Sequence, residues 1–311
     1  MNPNDTIVAA ATPYGFGGIA VVRLSGSKAN AIVKTMCQHP SSFLDRKATK
    51  VQLYKDKNKP FDSALVTFFK TPNSYTGEDV FEISCHGSPA IVEIIIEAAI
   101  NLGARTADPG EFTQRAFING KMDLVQAESV AGTIHGLGEK CARLNHRIIS
   151  GELTKKIELI RKSIIDTLSF VEFELDVSEE DLLSGSELRI LENLSSVRDE
   201  VSSLSKSFKE GRLLNRGASV VITGPPNVGK STLFNRLLNE NKAIVTPFPG
   251  TTRDLIDASV VYNGVSIVFS DTAGIRDAEE EIEKEGVRRA EEKTRRADFN
   301  RIRHYHLLLQ R

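Results

Sequence analysis

The stretch Gly224-Pro225-Pro226-Asn227-Val228-Gly229-Lys230-Ser231 constrains this chain more than any other. It fits G-x-x-x-x-G-K-[ST], a pattern that carries meaning where it joins a strand to a helix. The β-branched run Ala218 to Thr223 leads in, and Thr232 to Leu238 leads out with helical spacing. Glycines let the backbone approach a phosphate, loop N–H groups point inward, and the helix dipole favours the anion. Lys230 would reach the β- and γ-phosphates, and the Ser231 hydroxyl would ligate Mg2+. The plain alternative is a Gly-rich turn that binds nothing. With strand, loop, lysine and serine all in place, phosphate binding is the stronger reading.

The 311 residues suggest two or three domains, and 40% hydrophobic with 26% charged residues suggests real cores. A net charge of −1 argues against a protein basic all over, though a local nucleic-acid patch stays open. Cys37, Cys85 and Cys141 are too few and too far apart for a disulfide framework or a C-x-x-C metal site, which suits a reducing cytosol. No apolar run reaches about 18 residues and Met1 to Asp5 is polar, so neither a membrane span nor a signal peptide is expected. The expected location is the cytoplasm.

Three textures follow one another, and they predict a multidomain α+β and α/β protein. Residues 1–119 interleave strands and helices: Thr6–Ala11, Ile19–Leu24, Lys50–Tyr54, Phe61–Phe69 and Val80–Cys85 read as strands. Ser27 is placed to cap a short helix through Met36, and Pro89 suits the first turn of a helix running to Leu102. An antiparallel or mixed sheet with helices on one face is expected. Residues 120–214 read as helical. Leu153, Ile157, Ile160, Ile164, Ile165 and Leu168 recur at three and four, predicting an amphipathic helix of about thirty residues or more. Asp176 to Asp181 marks its end, and Leu188 to Phe208 makes another helix.

Residues 215–311 return to an α/β pattern. Asp257–Tyr262 and Val265–Asp271 flank Asn263-Gly264, a strong hairpin signal because both central residues of a type I′ turn need positive φ. An antiparallel pair straight after a phosphate-loop helix is distinctive. Asp271-Thr272-Ala273-Gly274 closes the second strand, where an Asp can hold Mg2+ through water and the glycine N–H can contact a γ-phosphate. Gly250-Thr251-Thr252-Arg253-Asp254 lies between loop and hairpin and offers a threonine hydroxyl to Mg2+. Either segment alone could be an ordinary turn. In this order they reinforce a nucleotide switch.

Here the chain resembles a known family. Residues 215–297 look like a translation-factor-class GTPase. Gly224 to Ser231 together with Pro249-Gly250-Thr251-Thr252-Arg253-Asp254 resembles its potassium-activated subgroup. Further motifs are Asn4 to Ala9, Gly17 to Gly26, Tyr75-Thr76-Gly77-Glu78-Asp79, Cys85-His86-Gly87 and Pro109 to Phe117. With these the chain is similar, over about residues 4 to 298, to the tRNA-modification GTPase family MnmE, also called TrmE.

The resemblance implies a folate-binding N-terminal domain, a helical domain and an inserted GTPase domain. It implies addition of a carboxymethylaminomethyl or aminomethyl group to the 5-position of the tRNA wobble uridine. The expected partners are tRNA, a flavoprotein of the MnmG family and a second copy of the chain, joined through the N-terminal domain. The expected cofactors are K+, Mg2+ and a 5-formyl- or 5,10-methylene-tetrahydrofolate, with GTP as substrate. GTP contacts fall on Asn227, Val228, Gly229, Lys230, Ser231 and Thr232, on Thr246, Pro247, Phe248, Pro249, Gly250, Thr251 and Thr252, and on Asp271, Thr272, Ala273 and Gly274. Ser231 and Thr252 would ligate Mg2+, while Asn227, Thr246, Phe248 and Thr251 would surround K+. That cation would supply the positive charge an arginine finger supplies elsewhere.

By motif position Arg23, Glu82 and Lys121 fall where the family contacts folate. Arg and Lys suit carboxylates of the glutamate tail, and a Glu accepts from pterin N–H groups. Without the family, Arg23 reads as an edge-strand charge, Glu82 as a hairpin charge and Lys121 as a helix-end cation. Glu283, which the second switch implies as the residue orienting the attacking water, otherwise reads as one of five glutamates on a solvated face between Glu279 and Glu285. Cys85-His86-Gly87 lacks the partners of a nucleophile or metal site and reads as a structural strand end. Arg143, His146, Arg147, Lys155, Lys156, Arg161 and Lys162 could touch tRNA phosphates or form solvated helix faces.

After Ala297-Asp298 the sequence departs from the family pattern. No Asn-Lys-x-Asp guanine-reading motif follows the second switch, and Gly224 to Arg311 is shorter than the roughly 150 residues of a complete GTPase domain. The expectation is a truncated or frameshifted C-terminus with an incomplete P-loop domain. The alternative function is accordingly a folate-binding dimerisation module whose G segment is inert.

Overall fold

β-branched and aromatic runs in the N-terminal region form a six-stranded sheet. Its strands are β1 (Ile7–Ala10), β2 (Gly17–Ser25), β3 (Ala48–Asp56), β4 (Lys59–Phe69), β5 (Val80–Gly87) and β6 (Arg105–Thr106). The computed structural model describes residues 5–38, 42–56, 59–176, 186–221, 232, 236 and 257–270. The chain divides into two compact units, Met1–Ala127 and Glu128–Arg311.

In the first unit the strand order is β3-β4-β5-β2-β1-β6. All neighbours are antiparallel except β1 and β6, which run parallel. Alternation sends Val22, Leu24, Val66, Phe81 and Ile83 to one face, where α1 (Ala29–Cys37) and α2 (Pro89–Asn101) cover them. Spacing of three and four puts Ile32, Val33 and Met36 of α1, and Val92, Ile95 and Ala99 of α2, into that same core. Phe81 lies at its centre, stacked on Phe68 at 4.6 Å and meeting Phe43 edge-on at 5.5 Å. Each such buried side chain contributes about 1.5–3 kcal/mol.

Two local expectations change. Ser27 does not cap α1. The N-cap is Lys28, whose side chain makes no cap bond, and its N–H donates instead to Thr6 Oγ1 at 2.9 Å. The hydroxyl arrives from the residue just ahead of β1, a partner that no local pattern reveals. Nor are helices confined to one face: α3 (Glu111–Ile118) sends Phe112 to Arg23, on the face of β2 opposite Val22 and Leu24. Pro89 opens α2 as expected.

From Leu124 on, α4 (Leu124–His135), α5 (Glu139–Ile149), α6 (Glu152–Asp176) and α7 (Ser186–Arg216) form the helical part, with all but the first turn of α4 in the second unit. The amphipathic helix α6 is described over 25 residues to Asp176, and residues 177–185, where its end is expected, lie outside the described residues. Three strands complete the description: β7 (Ala218–Val221), β8 (Asp257–Tyr262) and β9 (Val265–Ser270), in the order β7-β9-β8. β8 and β9 pair antiparallel across Asn263 and Gly264, whose φ values of 49° and 78° are those the hairpin requires. The backbone N–H of Lys140, in the first turn of α5, donates to the Gly264 carbonyl at 3.2 Å. Among the described residues no helix is long and apolar enough to cross a membrane.

Candidate functional site

Arg23 and Glu82 are direct register partners across β2 and β5, both interior strands. The edge-strand and hairpin readings of these charges are therefore corrected. A strand alternates its side chains between faces, so the two project together from the face opposite the apolar core. Arg23 Nε and Nη2 both donate to Glu82 Oε1, at 3.0 and 2.7 Å. Side-chain exposures of 24% and 29% leave the pair half-buried yet reachable.

Two rings wall the guanidinium. Tyr75 lies 5.2 Å and Phe112 5.6 Å from the Arg23 Cζ, centroid to carbon. Cation–π contact of this kind suits the flat, weakly hydrated guanidinium. Among the described residues Nη1 of Arg23 and Oε2 of Glu82 make no hydrogen bond, so the pair keeps donor and acceptor capacity. Lys121 is exposed beyond the end of α3, and its stem runs beside Gly77, two residues from Tyr75. The helix-end description of Lys121 thus holds, and the same lysine sits next to the loop that carries Tyr75.

Tyr75 and Phe112 belong to stretches that carry the family likeness, yet spacing alone gives neither a role. Their segments are bound by a buried ionic cluster. Arg115 Nη1 donates to both Glu78 oxygens at 3.1 and 3.0 Å and to the Asp5 carbonyl at 2.7 Å. Its Nη2 reaches Glu111 Oε1 at 3.0 Å. Arg105 adds a two-pronged pair to Glu111 and holds that carboxyl down to about 2.

At the end of β5, Asp62 pairs with His86 Nδ1 and accepts the His86 N–H at 3.1 Å. Burial pushes the Asp62 carboxyl up, but the bonds from His86 and Ser63 outweigh it and leave it lowered. Burial, aided by the Asp62 charge, pushes the Cys85 thiol up to about 11, and its Sγ lies 3.5 Å from the Ala20 carbonyl. An inert, enclosed thiol agrees with the structural reading of this strand end. In the basic helices, Arg143 pairs with Glu139, Arg147 with Glu152 and Arg161 with Glu158, all on exposed faces.

The nucleotide residues are reached only at their margins. β7 and β9 are parallel and Val221 pairs with Ser270, so the segments after them leave from adjacent strand ends. Thr232 is helical and exposed. Asn227, Val228, Gly229, Lys230, Ser231, Thr246 to Thr252, Asp271 to Gly274 and Glu283 lie outside the described residues, as do all the expected Mg2+ and K+ ligands. Among the described residues no group of three metal-binding side chains occurs.

Known proteins match both regions. Residues 6–121 match a family described as GTP-binding protein TrmE N-terminus, and residues 219–304 one described as 50S ribosome-binding GTPase. The tRNA modification GTPase MnmE of Aquifex aeolicus is 40% identical over 95% of this chain and 66% of its own length. Those of Pseudothermotoga lettingae and Thermotoga petrophila are 43% and 42% identical, over 92% and 95% of this chain and 63% and 65% of theirs. The chain thus spans just under two thirds of the length of these curated relatives. With the two regions matched in order, and relatives of one name aligning over more than nine-tenths of it, the chain belongs to the MnmE (TrmE) family.

Proposed function

We propose that the chain is a GTPase of tRNA wobble-uridine modification whose N-terminal unit binds a reduced folate at Arg23, Glu82 and Lys121. The reading rests on the Arg23–Glu82 pair, which presents the N–H groups of Arg23 Nη1 and the Glu82 Oε2, with two aromatic rings against the guanidinium. A pterin offers flat faces for the rings and N–H groups for Glu82 Oε2. The Lys121 ammonium, on a flexible stem at the rim, suits a glutamate-tail carboxylate. A tetrahydrofolate supplies a one-carbon unit when bound. The protein's own residues hold it and fix its orientation.

The nucleotide half of the proposal is supported by the motif Gly224 to Ser231 and by the paired strand ends Val221 and Ser270. Within it Lys230 binds phosphate, Ser231 and Thr252 serve Mg2+, Asn227, Thr246, Phe248 and Thr251 serve K+, and Glu283 orients water. A flavoprotein of the MnmG family, tRNA and a second copy of the chain are the proposed partners, in the cytoplasm. The domain limits 1–119, 120–214 and 215–311 are proposed with it.

The folate site is tested by titrating the chain with 5-formyltetrahydrofolate and following protein fluorescence or heat. Arg23→Ala and Glu82→Ala should each weaken binding about tenfold or more, the scale of a lost charge-assisted bond. Unchanged affinity in both variants would remove the assignment.

A further inference from the structure

We propose that Arg115 is a positioning residue of the Arg23–Glu82 site, locking together the two segments that supply its aromatic walls; the inference rests on the folate reading above. Phe112 stands on α3 and Tyr75 on the loop between β4 and β5, 37 residues apart in sequence. Neither segment belongs to the sheet that carries Arg23. Side-chain bonds join them. Tyr75 Oη and Thr113 Oγ1 share a hydrogen at 2.8 Å, Asn119 Nδ2 donates to the Thr76 carbonyl at 2.7 Å, and Arg115 bridges Glu78 and Glu111.

Arg115 is the cation of this joint and is buried with Glu111, at 7% and 3% side-chain exposure. Its fork meets the loop through Glu78, its own helix through Glu111 and the chain ahead of β1 through the Asp5 carbonyl. Glu78 in turn accepts the Ser25 hydroxyl at 2.6 Å, two residues from Arg23 on β2. A planar five-donor fork can satisfy these directions at once and an ammonium cannot. Among the described residues the cluster makes no hydrogen bond to Arg23 Nη1 or Glu82 Oε2. It sets the separation of the rings, and misplacing a contact by about 1 Å can cost on the order of 100-fold.

The test is equilibrium binding of 5-formyltetrahydrofolate by the full chain and its variants. Arg115→Lys keeps the charge and loses the fork; Glu78→Gln keeps shape and the Ser25 bond and loses the ion pair. Each should weaken binding on the order of 10-fold. Ile95→Val, a core change of ordinary cost remote from the walls, should leave binding unchanged. In a Phe112→Ala background, where one wall is already gone, Arg115→Lys should add little, because its effect runs through that wall. Wild-type affinity in Arg115→Lys and Glu78→Gln, or a full additive penalty in the Phe112→Ala background, overturns the inference and leaves the folate site standing. A wild-type chain that does not bind the folate overturns both.

Discussion

Arg105 and Glu111 form a two-pronged ion pair, Nη1 to Oε2 at 2.8 Å and Nη2 to Oε1 at 2.6 Å, with 3% of the glutamate side chain exposed. Arg105 holds the carboxyl at about 2 in the folded chain, against an ordinary 4.5. The unfolded chain takes up this proton first as pH falls. The contribution of Glu111 is therefore complete above about pH 4.5 and is lost toward pH 2, at up to about 1.4 kcal/mol per pH unit. Urea melts between about pH 5 and pH 3 should show a shallower pH dependence for Glu111→Gln than for wild type. Equal slopes would mean that this carboxyl is not depressed.

Gly87 lies against the backbone of Gly17 so closely that a Cβ there would overlap the Gly17 carbonyl. Backbone cannot swing aside as a side chain can. Gly87→Ala should cost about 2 kcal/mol or more by forcing β2 and β5 apart where they pair, and thermal melts would measure it. A melt within about 0.5 kcal/mol of wild type would show that the strand ends yield freely.

Cys37, Cys85 and Cys141 are all buried, and burial pushes their thiols up, Cys37 to about 12 and Cys85 to about 11. The thiolate is the reactive form, so a thiol reagent near neutral pH should label the native protein slowly and the unfolded protein at all three cysteines. A fast native thiol would contradict the enclosed placement of Cys85 behind His86.

Much of the fold was legible because its signals are local. β-branched runs gave the strands, Pro89 gave the start of α2, and Asn263-Gly264 gave the hairpin through a backbone geometry that few residues adopt. What escaped was non-local. Arg23 and Glu82 are 59 residues apart and meet only because β2 lies beside β5, so neither strand's interior position nor the pairing is written in either segment. Ser27 lost its capping role to Thr6 for the same reason. The aromatic walls were hidden in plain motifs, since Tyr75 and Phe112 acquire meaning only around a guanidinium supplied by a third segment. For the helix α6, periodicity gave the type, because its apolar residues recur at three and four along one stripe.

The most direct measurement is GTP hydrolysis by the 311-residue chain in K+ compared with Na+, with Lys230→Ala as control. A potassium-activated GTPase turns over faster in K+ by about tenfold or more, since a cation at the transferring phosphate stands in for an arginine finger, and the control loses that rate. Equal, background-level hydrolysis in the two salts would contradict it, and would leave a folate-binding module whose G segment is inert.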